Sequence, residues 1–301
     1  MNNYTICSLI TDSVEKHAGI IALSYVNEDK GISYQALGIK VSNLAGKLAT
    51  MDIGKGDKVA IIGESSPNWG ISFLSITCLG AVAVPVLPDF HVDEIMNIIQ
   101  HSETKMVFVS AKQFKKLEKS FQDTNIPVFI LDDLSPSGKE YEKNIYRSIC
   151  FSCLESSVKE DDLATIIYTS GTTGTSKGVM LTHKNISWMV NQSLTMQDVN
   201  EHDRFLSILP MAHTYENSLG FLLPLHCGAT IYYLKKQPTP TVLLDALSKV
   251  KPTTLLTVPL IIEKIYRKQV LPKFKKNGLT RTLFSFTPTR KLLNYLAGKK
   301  L

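Results

Sequence analysis

The chain predicts an α/β protein in which parallel β-sheets alternate with layers of helices, an αβαβα arrangement. Two observations carry that expectation. Short β-branched runs alternate with segments whose apolar residues recur every three or four positions, and strand and helix in alternation build parallel sheets. Hydrophobic residues make up 44% of the 301 residues, enough to bury the core of one large domain or two of ordinary size.

In chain order, helical spacing opens at SYQALGIKVSNLAGKLAT (33–50), and KVAIIGE (58–64) reads as a strand. Between Glu64 and Asp89 no residue is charged, and SSPNWGISFLSITCLGAVAVPVLP is long enough to cross a bilayer. Proline and glycine argue against a span. Pro67 suits a helix start and Gly80 a helix end, and Pro85 and Pro88 interrupt any continuing helix, so a buried helix followed by the buried strand AVAVPVL (81–87) is expected. The helix HVDEIMNIIQHS (91–102) and the strands KMVFVS (105–110) and PVFILDD (127–133) follow. The polar, turn-rich SPSGKEYEKN (135–144) is expected to be a surface loop. Beyond it lie the strand ATIIYTS (164–170), the helix HKNISWMVNQSL (183–194), the strands RFLSILP (204–210), ATIYYLK (229–235) and TTLLTVP (253–259), and the helix LIIEKIYRKQVL (260–271). Past Asn277 the pattern loosens.

The formal net charge of +6 is unevenly placed: from Glu263 onward eleven basic residues stand against one acid. Such a run is first a solvated helical surface and second a patch for an anionic membrane or a phosphate. Its basic residues are not interleaved with aromatic ones in the manner of a nucleic-acid surface, and no nucleic-acid partner is expected. The five cysteines are odd in number and scattered, and no signal-peptide order occurs near Met1, so reduced thiols and a cytoplasmic chain are expected. Cys150 and Cys153 form a CxxC without the second ligand pair of a metal site.

The most informative stretch is YTSGTTGTSKGVMLTH (168–183), which lies between a predicted strand and a predicted helix with the short apolar VMLTH inside it. A loop at the carboxyl end of a parallel strand is where α/β sheets bind ligands. Gly171, Gly174 and Gly178 let backbone amides approach an anion. Hydroxyls of Thr169, Ser170, Thr172, Thr173, Thr175 and Ser176 add donors, and Lys177 adds a charge, so a polyphosphate is the natural guest. The Walker A pattern GxxxxGK[ST] fails here, because Ser176 replaces its second glycine and Gly178 its magnesium-binding hydroxyl.

YTSGTTGTSKG resembles the phosphate-loop signature of the adenylate-forming superfamily, which includes acyl-CoA synthetases. Further segments are similar to that family in the same order: GISYQAL (31–37), GDKVAIIGESSPNW (56–69), LGAVAVPVLPDFHVDEIMNIIQHSETKMVFV (79–109) and LSILPMAHTYENSLGFLLPLHCGATIYYL (206–234). One departure is Ser176, where many members carry proline. The resemblance implies two flavodoxin-like sheets, the second incomplete, in the N-terminal part of the large domain, with approximate subdomains 1–182 and 183–301 and no C-terminal domain. It also implies a two-step reaction in which a carboxylate attacks the α-phosphate of ATP, releasing pyrophosphate, and coenzyme A thiolate then displaces AMP.

The same resemblance assigns residues. Thr169, Ser170, Gly171, Thr172, Thr173, Gly174, Thr175 and Lys177 would hold the β- and γ-phosphates, with Lys177 acting in catalysis and Thr172 as the Mg²⁺ contact. His213 in PMAHTYENSLG matches a catalytic position where acyl carboxylate and α-phosphate meet. Glu216 falls where several long-chain enzymes carry an acid; a metal role and a purely structural helix-start role stand level. HTYENSLG lacks the aspartate that pairs with an amino-acid substrate, and Asn217 stands where some long-chain enzymes carry a gating tryptophan. Residues 218–228 are read as core packing before an acyl tunnel. The segments 253–270 and 281–301 look most like long-chain fatty acid ligases, so a fatty acid is the expected substrate.

Motifs that the family carries later, for adenine, ribose and a C-terminal lysine, are not in the sequence, and the expectation is an N-terminal portion that is inactive by itself. Exposed apolar surface is then expected to favour a homodimer, and the basic end to favour peripheral membrane contact. A noncatalytic acyl- or partner-binding remnant and a P-loop-type NTPase are the alternatives.

Overall fold

The computed structural model describes residues 4–137, 154, 158–169, 176–272, 284 and 287–298. The chain divides into two compact units, one of residues 1–235 and 249–256 and the other of residues 236–248 and 257–301. Thr5 caps α1 (Ile6–Lys16) through a reciprocal box with Ser8. β1 (Ile21–Tyr25) and β2 (Ile32–Ser33) lead to α2 (Tyr34–Thr50), capped by Ser33. β3 (Lys58–Ile62), α3 (Pro67–Cys78) and β4 (Val82–Val86) follow. As expected, Pro67 lies in the first turn of α3, and Gly80 carries the chain out of it at φ +83°.

Next come α4 (Val92–His101), β5 (Thr104–Val109), α5 (Ala111–Gln122), β6 (Val128–Ile130) and β7 (Ser135–Pro136). β8 (Leu163–Thr169) and β9 (Lys177–Thr182) run into α6 (His183–Ser193), which Thr182 caps. β10 (Arg204–Ser207), a π-helix (Glu216–Leu222), α7 (Leu223–His226) and β11 (Thr230–Tyr233) follow. The remaining described elements are α8 (Pro240–Val250), α9 (Pro259–Ile265), a second π-helix (Tyr266–Val270) and α10 (Thr287–Gly298).

Among the described residues one sheet has the order β7-β6-β5-β3-β4-β8-β9 and the other β10-β11-β1-β2. Their interiors are parallel, as the alternation predicts. Three pairs are antiparallel instead: β1–β2, β6–β7 and β8–β9. The cause is connection length, since a parallel return needs a crossover of a dozen or more residues and these links are shorter. β1 pairs with β11, so the N-terminal strand belongs to a sheet completed some two hundred residues later. The compact units therefore do not divide at residue 182.

Alternate side chains of the large sheet serve two cores. Val59, Ile61, Met106 and Phe108 face one, with α2 and α3, while Ala60, Ile62, Val107 and Val109 face the other, with Ile95 and Ile99 of α4 and Leu117 of α5. The first core also takes Leu23, Ile231 and Tyr233 from the small sheet, so α3 packs in a core fed by both sheets. Every residue of α3 except Asn68 is buried, which explains the charge-free sequence. No described helix is long and apolar enough to cross a membrane.

One predicted strand is absent. Thr254 makes a single parallel bridge to Phe205, and the amides of Thr253 and Thr254 both point at the Arg204 carbonyl, at 2.9 and 3.2 Å. Two donors on one acceptor disrupt the ladder at its first step, as in a bulge, and Pro259 opens α9 soon after. Cys7 and Cys78 are buried. The Cys150/Cys153 pair and most of the expected 135–144 loop lie outside the described residues.

Candidate active site

The Gly/Ser/Thr stretch links two antiparallel strands. β8 enters it parallel to β4, and β9 leaves it antiparallel to β8 with Lys177 opposite Thr169. Ser170, Gly171, Thr172, Thr173, Gly174 and Thr175 lie outside the described residues, whereas Thr169, Ser176 and Lys177 lie within them. Thr169 and Lys177 are both exposed. Residues opposed across an antiparallel pair project from the same face, so a hydroxyl and an ammonium flank the mouth of the turn together.

The base of the turn is tied to α4 at both ends of that helix. Ser176 Oγ donates to Glu94 Oε1 at 2.8 Å, in the first turn, and the Tyr168 hydroxyl lies 2.7 Å from His101 Nδ1, in the last. Ser176 stands out in the sequence only as a departure from proline. In the fold its hydroxyl fastens the loop, a bond proline cannot make. Glu94 and His101 carry no motif, and only their distance from the loop reveals them.

The second group of residues follows β10. His213 is exposed, its N–H donates to Pro210 O at 3.0 Å, and its carbonyl accepts from Asn217 N at 2.9 Å. Ser65 docks this segment, donating to Leu209 O and accepting from Met211 N, each at 3.0 Å. Ser65 follows β3, and β3, β4 and β8 are parallel neighbours in that order. The His213 turn and the Gly/Ser/Thr turn therefore share the carboxyl edge of one sheet, at strand ends roughly 10 Å apart by strand spacing. That edge is where α/β sheets take their ligands.

Glu216, three residues after His213, is buried. It is 1% exposed at the first residue of the π-helix, and Ser207 Oγ donates to its Oε1 at 2.6 Å. Its Oε2 is buried without a partner, and burial pushes the carboxyl up to about 7. Burial, followed by the nearby Glu216, also raises the phenol of Tyr233, another buried group without a partner. Wide turns of this kind often mark functional segments.

Gly220 makes room for the acid: a Cβ there would lie 2.6 Å from the Glu216 carboxyl carbon and 2.8 Å from both oxygens. Gly220→Ala is therefore expected to destabilise the fold by about 1–3 kcal/mol through overpacking. The check is a lower urea midpoint with an unchanged slope.

A further residue escapes sequence reasoning. His183 opens α6 directly after β9, is fully buried, and accepts the Ile6 N–H on Nδ1 at 3.2 Å. Its Nε2 has no partner, and burial lowers the imidazole to about 4. Nothing in the local sequence distinguishes it from an exposed helix-start histidine. Among the described residues no three His, Cys, Asp or Glu side chains converge as a metal site, and Thr172 is not among them.

β8 and β9, joined by a hydroxyl- and glycine-rich stretch with Lys177 at its exit, lie in a mostly parallel sheet of an α/β domain. The chain belongs to the AMP-binding enzyme family, whose model matches residues 10–291. A long-chain-fatty-acid–acyl-carrier-protein ligase of Arabidopsis thaliana chloroplasts is 26% identical over 96% of this chain and 42% of its own length. A human long-chain-fatty-acid–CoA ligase is 30% identical over 75% of this chain and 36% of its own. The chain thus spans well under half of these relatives. Among solved structures, the N-terminal domain of FACL13 from Mycobacterium tuberculosis superposes with a TM-score of 0.73 at 23% identity, covering 90% of this chain and 66% of that one. The adenylate-forming resemblance and the α/β fold class are both borne out.

Proposed function

We propose that this chain is the part of an ATP-dependent, AMP-forming fatty acid–CoA ligase that contributes the phosphate loop and one wall of the acyl-adenylate site. The observation that carries the reading is the placement of the Thr169–Lys177 hairpin and the His213 turn on one sheet edge. A fatty acid carboxylate attacks the α-phosphate of ATP there, the α–β bridging bond breaks, and pyrophosphate leaves. Coenzyme A thiolate then attacks the acyl carbon and releases AMP.

The leaving pyrophosphate gathers negative charge, which oriented amides and hydroxyls of residues 169–175 and the Lys177 ammonium offset. Thr172 would hold Mg²⁺, which would supply further positive charge beside the phosphates. His213 lines the meeting point of carboxylate and α-phosphate. Glu216, engaged by Ser207 inside the protein, is a positioning residue for the His213 turn and not a metal contact. The activities named for the two relatives favour a fatty acid over an amino acid. Phe221, Leu222, Leu223 and Leu225 pack into the core, which leaves them no part in an acyl tunnel.

The test is fatty-acid-dependent release of AMP and pyrophosphate, and thioester formation, by the longest polypeptide the gene encodes. No release with any medium- or long-chain acid would reject the reading in favour of a noncatalytic remnant, and fatty-acid-independent release of ADP in favour of an NTPase. The 301-residue chain alone is expected to give no detectable thioester. A one-ångström misplacement already costs about a hundredfold, and this chain matches only 36–42% of the two relatives' lengths. Saturable thioester formation by this chain, lost in Lys177→Ala, would overturn that expectation.

A further inference from the structure

Lys177 stands between two residues that α4 holds from outside the strand. Before it, Ser176 Oγ donates to Glu94 Oε1 at 2.8 Å, in the first turn of that helix. After it comes Gly178, which lies directly opposite Tyr168 across the β8–β9 pair. A Cβ on Gly178 would lie 3.2 Å from Tyr168 Cζ and 2.8 Å from Ile166 Cγ2, so the glycine is what lets the phenol ring rest against β9. The far end of the ring is held in turn. Its hydroxyl lies 2.7 Å from Nδ1 of His101, the last residue of α4, and the two rings meet edge to face with centroids 5.7 Å apart.

α4 is a firm anchor for both contacts. Ile95, Ile98 and Ile99 are buried in the same core as Ile166 and Tyr168, and β4, which leads into α4, is the parallel neighbour of β8. Lysine carries its charge on a long flexible stem, so the place its ammonium reaches is set by the backbone at its root. We infer that Glu94 and His101 are positioning residues for Lys177: through Ser176, and through the Tyr168–Gly178 pair, they fix the backbone on either side of it and so aim the ammonium at the charge gathering on the leaving pyrophosphate. Neither touches a reacting atom. The inference rests on the proposed phosphate contact of Lys177. The competing role is helix stabilisation, since an acid suits the first turn of a helix and a histidine the last.

Two measurements decide between these roles. In the 301-residue chain, hydrogen exchange over residues 176–178 should quicken by about threefold to tenfold in Glu94→Ala and in His101→Ala, the scale of losing one hydrogen bond. Glu94→Gln and His101→Asn keep a polar atom near the bonded one and should exchange like the parent. In the longest polypeptide the gene encodes, each alanine variant should lower kcat for fatty-acid-dependent pyrophosphate release by about threefold to tenfold, and should cost nothing further when added to Lys177→Ala, because the effect passes through that lysine. Helix stabilisation would cost the same with or without the lysine. Full additivity, or alanine variants that match the parent in rate or in exchange, would overturn the inference and leave Lys177 in the mechanism. A Lys177→Ala enzyme as fast as the parent would remove the lysine's role and the inference together.

Discussion

Lys177→Ala, made in the longest polypeptide the gene encodes, is expected to slow fatty-acid-dependent pyrophosphate release by roughly tenfold to a thousandfold, the scale of losing one preorganised charge contact. Lys177 is exposed and faces Thr169 across the hairpin, at the strand end where the turn closes. Its ammonium is therefore available to an anion in the turn. The charge it meets grows as the bond to pyrophosphate breaks, so the loss should fall on kcat as well as on KM. Lys184→Ala is the control: that lysine is exposed one helical position beyond His183 and is paired with Glu160 at 2.8 Å, so its removal should leave the rate unchanged. Equal rates for the parent and Lys177→Ala would remove the lysine from the mechanism.

Glu216→Gln is expected to change how stability depends on pH. The folded state raises this carboxyl from 4.5 to about 7, so the fold holds its proton more tightly than the unfolded chain does. The stabilisation is complete below about pH 4.5 and is lost as pH rises to about 7, a swing of about 2–3 kcal/mol. His183 works in the opposite direction. Its folded value is lowered from 6.5 to about 4, so its contribution is present above pH 6.5 and is lost as pH falls through about 4. Between these limits the two slopes offset each other in the parent chain.

Glutamine keeps an acceptor for Ser207 and removes the titration, and any cost of its amide is independent of pH. From about pH 5 to about pH 8 the variant should therefore gain about 2–3 kcal/mol relative to the parent. Its own stability should fall steeply on acidification, with the His183 slope exposed. Urea midpoints of both proteins at the two pH values decide the matter: a constant gap would mean that Glu216 does not titrate in this window.

Much of the fold is legible in local sequence because its causes are local. Pro67 and Gly80 bound α3 through φ preferences that need no distant partner, and alternation in KVAIIGE follows from a pleat with a core on each face. Even α1, which motif reading passes over, carries its own signal in the Thr5 cap and in Ile6, Leu9 and Ile10 on one face. The loop is legible for a similar reason, since glycine, hydroxyl and lysine chemistry is a property of consecutive residues. TTLLTVP shows the limit. Its composition favours a strand, but a strand exists only where a neighbour accepts its ladder, and Arg204 offers one carbonyl to two amides.

The sequence by itself determined much of the order of elements, the buried helix and strand in the charge-free stretch, the glycine- and hydroxyl-rich loop and the family resemblance, all of which rest on residues near one another in the chain. The tertiary structure alone decided that β1 joins β11, that Ser65 brings the His213 turn to the edge where the loop lies, and that Ser176 fastens the loop to Glu94. It alone decided that Glu216 and His183 are buried with perturbed protonation. Those outcomes depend on which distant surfaces exclude water from a group, and a proton's affinity for a side chain is set by that surrounding medium, which residues far apart in the chain build together.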